Sequence, residues 1–217
     1  MKMPYLQKYD TVDIGWKIKP WFKIDLIQLQ HWYSELEKNY GDWKFSYGKH
    51  IDMWKRDPGD SDGINGHLFM PDTSWYTLCH NSNIEGPLPP ERSMSKTEYQ
   101  DYDDHKLNAR KCFTGYGLEI VESMPIRNKR AVISITTPGT RLVMHQDQPD
   151  KIRYHVTIKS NSDFKWVIDG EDMDIPCDGW VYLVNTTLPH MIINNGTTDR
   201  VTLYGKVWTD DVIKLNL

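Results

Sequence analysis

His145, Gln146 and Asp147 form an HxD triplet, and a further histidine, His190, follows 45 residues later. In an extended strand, residues i and i+2 point the same way, about 6.6 Å apart at Cα. His145 and Asp147 can therefore converge on one cation while Gln146 faces away, and a second strand bearing His190 would complete the set. Two imidazoles and one carboxylate leave three coordination positions open. That arrangement suits a non-haem Fe(II) oxygenase, with a bidentate 2-oxo acid in two positions and O₂ in the third. An HxD triplet also arises by chance, and a His and an Asp on one strand face are commonly solvated or locally hydrogen-bonded. The triplet needs support from elsewhere in the chain.

Arg200, ten residues after His190, offers some. If His190 and Arg200 occupy neighbouring antiparallel strands joined through the Asn194-Asn195-Gly196 turn, both can face the interior of a barrel. An inward arginine is costly to bury without an anion, and a carboxylate satisfies its planar fork. The distal carboxylate of 2-oxoglutarate would fill that role; a surface arginine following a turn is the other reading. Arg153, Tyr154 and His155 repeat the same-face logic, with Arg153 and His155 on one face and Tyr154 on the other. That pair could bind the remaining oxygens of the co-substrate or a substrate carboxylate. It could equally be a salt-bridged arginine beside a satisfied core histidine.

The elements that must position these residues are short. After about Arg130 come β-branched or aromatic runs: AVISITT, RLVMHQD, IRYHVTIK, FKWVID, GWVYLV, HMIINN and RVTLYGKVW. Pro138-Gly139, Asp169-Gly170, Asp178-Gly179 and Asn195-Gly196 punctuate them as turns. Seven or eight strands in so short a span predict an antiparallel barrel or jelly roll, with the first half of the chain wrapped around it. Upstream, the apolar spacing of Leu26, Ile27, Leu29, Trp32, Tyr33 and Leu36 predicts a helix over Asp25 to Lys38, with Asp25 as N-cap and Gly41 as stop signal. A second, thinner helical pattern runs from Ser95 to Lys111. Between Tyr40 and Asn128 the rest is irregular and rich in Gly, Pro, Asp and Ser.

The chain has 217 residues, enough to bury a core without disulfides. Its 26 basic and 30 acidic residues give a formal net charge of −4, which argues against nucleic acid as a partner. Cys79, Cys112 and Cys177 are too scattered for a disulfide framework or zinc knuckle. With no apolar leader and no long apolar run, a cytoplasmic location and no membrane association are expected. No GxSxG elbow, P-loop or dinucleotide fingerprint is present. His31, on the helix beside Trp32, reads as interfacial packing or solvated; His50, His67, His80 and His105 lack metal-like spacing among themselves, and Met144 and Trp166 read as core. The aromatic stretches Trp75 to His80 and Cys112 to Gly117 could cap a barrel mouth or pack the N-terminal half against it.

From Ala131 to Trp208 the chain resembles the aspartyl/asparaginyl β-hydroxylase family of 2-oxoglutarate oxygenases. Ser134, the Pro138-Gly139 turn, His145, Arg153/His155, Gly179, His190, Asn195 and Arg200 stand in the order of that family's motif, and the chain closes it with Lys206-Val207-Trp208. The resemblance implies a mainly β fold, a double-stranded β-helix (jelly roll) with an N-terminal helical and irregular elaboration. It implies His145 and His190 as iron ligands, Arg200 and Ser134 on the C5 carboxylate of 2-oxoglutarate, and Arg153 and His155 near its C1 end. Asp147 supplies a third ligand that some members lack. Asn185 replaces an aspartate common in the family and is assigned no role.

The expectation is a single oxygenase domain over residues 1–217, with 1–130 packing on a catalytic core at 131–210. It would be an Fe(II)- and 2-oxoglutarate-dependent dioxygenase hydroxylating a C–H bond of a peptide, amino acid or small molecule, for instance an Asp- or Asn-type side chain. Two alternatives remain: a non-catalytic cupin-like binding module, and a metal-dependent cupin enzyme that uses no 2-oxoglutarate.

Overall fold

A computed structural model describes residues 9–39, 75–79 (backbone), 115–142 and 144–217. Alternating side chains in the second half build two facing antiparallel sheets. The strands are β1 (Ile18–Lys23), β2 (Trp75–Cys79), β3 (Asn128–Thr136), β4 (Lys151–Lys159), β5 (Phe164–Ile168), β6 (Glu171–Met173), β7 (Trp180–Val184), β8 (His190–Asn194) and β9 (Arg200–Trp208). The larger sheet runs β1-β7-β4-β9-β3-β2 and the smaller β6-β5-β8. Among the described residues three helices flank them: α1 (Leu26–Asn39), α2 (Tyr116–Glu122) and α3 (Thr209–Lys214). Strands β3 and β4 follow one another in the chain, yet β9 lies between them. Strands β7, β8 and β9 alternate between sheets, the crossing pattern of a double-stranded β-helix.

Period-2 alternation gives the larger sheet two different faces. On β4, Ile152, Tyr154, Val156 and Ile158 join Val181, Leu183, Val201, Leu203 and Val207 in a core covered by Leu29, Tyr33 and Leu36 of α1 and by Ile120 and Val121 of α2. The opposite face of the same strands carries Arg153, His155 and Thr157 on β4, and Arg200, Thr202 and Tyr204 on β9. It looks toward the smaller sheet, where Phe164, Trp166, Ile168 and Ile192 form a second apolar cluster with Tyr182 and Val184. The chemistry-bearing residues belong to this inner face.

Helix α1 starts as its sequence predicts: the Gln28 N–H donates to Asp25 Oδ1 at 2.9 Å, the N3 bond of an N-cap. Asp169 and Gly170 have φ of 51° and 80°, which fits a two-residue type I′ hairpin between β5 and β6. Gly205 is required by close approach, since a Cβ there would stand 2.5 Å from Tyr154 Oη.

Two expectations change. The described residues of the RLVMHQD run form no strand; they meet β8 at the isolated bridges Arg141↔Ile193 and His145↔His190. Strands β8 and β9 are not neighbours either, because β8 pairs with β5 in the smaller sheet while β9 pairs with β3 and β4 in the larger. The turn at Asn194-Asn195-Gly196 thus carries the chain from one sheet to the other. Nine strands lie among the described residues, and no helix there is long and apolar enough to cross a membrane. The whole of the expected helix over Ser95 to Lys111, the stop signal Gly41, and His50, His67, His80 and His105 lie outside the described residues.

Candidate metal centre

Backbone bonds bring the two histidines together. The His145 N–H donates to the His190 carbonyl at 2.9 Å and the His190 N–H to the His145 carbonyl at 2.8 Å. This reciprocal bridge sets the two rings side by side, with centroids 4.2 Å apart. Beyond it the first segment leaves the ladder, and the Asp147 N–H donates instead to the Thr186 carbonyl at 2.9 Å, in the loop between β7 and β8. Asp147 therefore joins the histidines through a loop contact rather than through strict strand alternation. One ligand atom from each of His145, Asp147 and His190 lies within 4.8 Å of the others.

The surrounding contacts suit ligands. His190 Nδ1 lies 2.9 Å from the Leu188 carbonyl. A carbonyl can only accept, so Nδ1 carries the proton and Nε2 is the basic nitrogen, as in histidines that bind metals. Arg153 Nε donates to Asp147 Oδ2 at 2.7 Å. Burial alone would push the Asp147 carboxyl up, but Arg153, and after it His190 and His145, outweigh burial and hold it well below the usual carboxylate range. The acid is therefore ionised at neutral pH. Gln146 faces away, as expected, and donates from Nε2 to the Thr187 carbonyl at 2.8 Å.

Arg200 stands at the other end of the interior. It is 1% exposed, and its hydrogen bonds go to neutral oxygens: Nη1 to Ser160 Oγ (3.0 Å) and the Ile175 carbonyl (3.3 Å), Nη2 to Thr157 Oγ1 (2.8 Å). Its guanidinium lies 4.1 Å from the Phe164 ring centroid. Burial pushes its pKa down to about 10, with Asp174 and Cys177 partly opposing, so it stays cationic. Among the described residues no carboxylate pairs with it. Ser134 is buried on β3 opposite Thr202, and Thr136 is opposite Arg200 itself, which puts Ser134 on the same inner face.

Between these ends, His155 is buried with both ring nitrogens lacking a hydrogen-bond partner. Its ring stacks on Tyr204 at 5.3 Å and meets Trp166 edge-on at 4.9 Å. Burial, and then the nearby Arg200 and Arg153 charges, hold its pKa well below the ordinary histidine value, so it is neutral. The interior is therefore tiered: the three candidate ligands with Arg153, then His155 with Tyr204 and Trp166, then Arg200 with Thr157 and Phe164. A buried cation that no described carboxylate pairs with and a buried imidazole without partners suit an elongated anion reaching toward a metal. Two imidazoles and an ionised acid suit a divalent cation that keeps open positions.

The structure brings together His145, Asp147 and His190. It pairs Arg153 with Asp147, and it places His155, Ser134 and Arg200 on the inner face. Sequence reasoning passed over Thr157, Tyr204 and Ser160, and read Trp166 as core only. Stepping by two from Arg200 along β9 and from His155 along β4 would have found Tyr204 and Thr157. Trp166 is indeed in the apolar cluster, and its ring also faces His155. His31 is exposed on α1.

A sequence-family model described as Aspartyl/Asparaginyl beta-hydroxylase matches residues 95–210, just over half of the chain. That match begins upstream of Ala131, where the motif resemblance starts. No curated protein matches the chain. Among solved structures, a predicted oxalate decarboxylase from Thermotoga maritima is 18% identical, with a TM-score of 0.32 over 42% of this chain and 72% of that one. The Schizosaccharomyces pombe Cnp3 cupin domain is 15% identical, with 0.34 over 47% and 79%. Salicylate 1,2-dioxygenase from Pseudoaminobacter salicylatoxidans is 13% identical, with a TM-score of 0.30 over 40% and 23%. These are partial overlaps, and the strand pattern described above stands on its own pairing.

Proposed function

The chain belongs to the aspartyl/asparaginyl β-hydroxylase family, and on that premise we propose that it is an Fe(II)- and 2-oxoglutarate-dependent dioxygenase that hydroxylates a substrate C–H bond. His145, Asp147 and His190 would hold the iron. Arg200, with Ser134, would take the C5 carboxylate of 2-oxoglutarate, and Arg153 and His155 would lie near its C1 end. Iron bound there supplies the coupled oxidation by O₂, in which 2-oxoglutarate is decarboxylated to succinate and CO₂ while the other oxygen atom enters the substrate as hydroxyl. The residues of the chain orient and exclude. The Leu188 carbonyl keeps the His190 proton on Nδ1, Arg153 holds one oxygen of Asp147, and the two sheets keep bulk water from the interior. The substrate on this reading is an amino-acid side chain, Asp- or Asn-type among the candidates, in a peptide or small molecule. The cytoplasmic location expected from the apolar pattern of the sequence belongs to the same proposal.

The observation that carries it is Arg200, a guanidinium 1% exposed whose hydrogen bonds among the described residues go only to neutral oxygens. Anaerobic titration with Fe(II) and 2-oxoglutarate should produce the weak visible charge-transfer band of the chelate. Arg200→Ala should weaken 2-oxoglutarate binding by roughly 1.5–3 kcal/mol, the worth of a charge-assisted bond. Unchanged binding in that variant would point to a metal-dependent cupin enzyme that uses no 2-oxoglutarate. If no divalent metal binds saturably, a cupin-like binding module takes the place of both.

A further inference from the structure

The middle tier of the interior holds a polar atom that the proposed function does not use. Trp166 is 6% exposed, and its Nε1 is buried with no hydrogen-bond partner. An indole N–H can only donate, and such groups are nearly always satisfied when buried. Tyr154 Oη and Thr186 Oγ1 also lack partners, but Tyr154 packs on the opposite face among the apolar residues beneath the helices. Trp166 alone of these shares its tier with another orphan, since its ring meets His155 edge-on at 4.9 Å and both His155 nitrogens lack partners.

Its neighbours along β5 fix where it stands. Phe164 lies 4.1 Å below the Arg200 guanidinium, and Ile168 is paired opposite His190. Trp166, midway between them, has its ring centroid 6.0 Å from that of His190. A phenylalanine or leucine would fill this layer without an orphaned donor. The indole N–H and the His155 nitrogens thus border the space between the buried cation and the candidate metal ligands, and among the described residues no acceptor reaches the indole.

We propose that Trp166 is a co-substrate-binding residue, whose indole N–H donates to a C1 carboxylate oxygen of the 2-oxo acid beside His155. The inference rests on 2-oxoglutarate as the occupant of the interior. It assigns a ligand contact to a residue outside the motif that carries the family resemblance.

The test uses the full chain loaded with Zn(II), which is diamagnetic and redox-silent. Trp166→Phe removes the donor and keeps the ring, so it should bind 2-oxoglutarate about tenfold more weakly while its Zn(II) affinity stays that of the wild type. In the unsubstituted protein, which contains nine tryptophans, the Trp166 indole N–H resonance, assigned through its own backbone amide, should move downfield as 2-oxoglutarate is added. This second measurement needs no variant and stands even if Trp166→Phe folds poorly. An indole resonance that stays in place, or a Trp166→Phe protein that binds 2-oxoglutarate as the wild type does, overturns the proposal. If Arg200→Ala loses 2-oxoglutarate in the same assay, the co-substrate reading survives that result. Failure of the wild type itself to bind 2-oxoglutarate would remove both.

Discussion

Asp147 and Arg153 are six residues apart and share a bond that decides how the acid presents itself. With Oδ2 engaged by Arg153 Nε at 2.7 Å, Oδ1 is the oxygen left to face a cation. Partners that orient metal ligands typically account for 10–100-fold in affinity. Arg153→Met should therefore weaken Mn(II) binding by about that factor, measured calorimetrically, with a smaller loss in Arg153→Lys. Equal affinities in wild type and Arg153→Met would reduce the pair to a surface ion pair. His155 makes a prediction of its own sign. Its pKa is depressed in the folded state, so the unfolded chain binds more protons wherever its ordinary histidine titrates. Stability should be flat above about pH 6.5 and fall as the pH drops below it. His155→Gln should flatten that slope in denaturant melts between pH 7.5 and 5; a slope unchanged by the substitution would show that His155 is not its source.

Strands explain what the sequence could and could not reveal. Alternation is a local property, so the shared face of Arg153 and His155 was legible from a two-residue step, though not its direction, and Asp25 was legible as a cap from its place before an apolar run; the inward Arg200 was expected through a β8–β9 pairing that the structure does not have. Pairing is non-local. Nothing in the HMIINN and RVTLYGKVW runs says that one belongs to the smaller sheet and the other to the larger, and a turn between them reads as a hairpin when it is a crossing. The HxD segment misleads for a related reason: its β-like composition satisfies a reciprocal bridge at His145, after which the Asp147 amide finds Thr186 and the ladder stops. The register slip on β4 between Thr157 and Lys159, beside the Thr157 that binds Arg200, is equally invisible in composition. Gly205 offers a test at this scale. Tyr154 sits where its Cβ would be, so Gly205→Ala should cost about 1–3 kcal/mol by overpacking, read as a lower urea midpoint. A neutral outcome would mean that β4 and β9 can separate without cost, against the close approach seen here.

The whole molecule ties its beginning to its metal-side loop. The Val12 N–H donates to Thr187 Oγ1 at 3.0 Å, Asn185 Nδ2 donates to the Val12 carbonyl at 2.9 Å, and the Asn185 N–H donates to the Lys17 carbonyl at 2.9 Å. Asn185 Oδ1 in turn accepts the Thr187 hydroxyl at 2.6 Å. The loop so held supplies the Thr186 carbonyl to Asp147, the Thr187 carbonyl to Gln146 and the Leu188 carbonyl to His190. Asn185, assigned no role from sequence, thus connects a segment about 170 residues distant in the chain to the groups that aim the three candidate ligands. Linkage turns this into a measurable coupling. A cation that binds only the folded state at 100 times its Kd adds about 2.7 kcal/mol, which in a domain of this size raises Tm by roughly 5–11 °C. Asn185→Ala should lower the Tm of the metal-free protein by removing a buried bonded amide, a loss of about 1–3 kcal/mol. It should also shrink the rise brought by a fixed Mn(II) concentration, because a loosened loop raises Kd. A variant that loses stability yet keeps the full metal-dependent rise would show the N-terminal segment and the metal centre to be held independently.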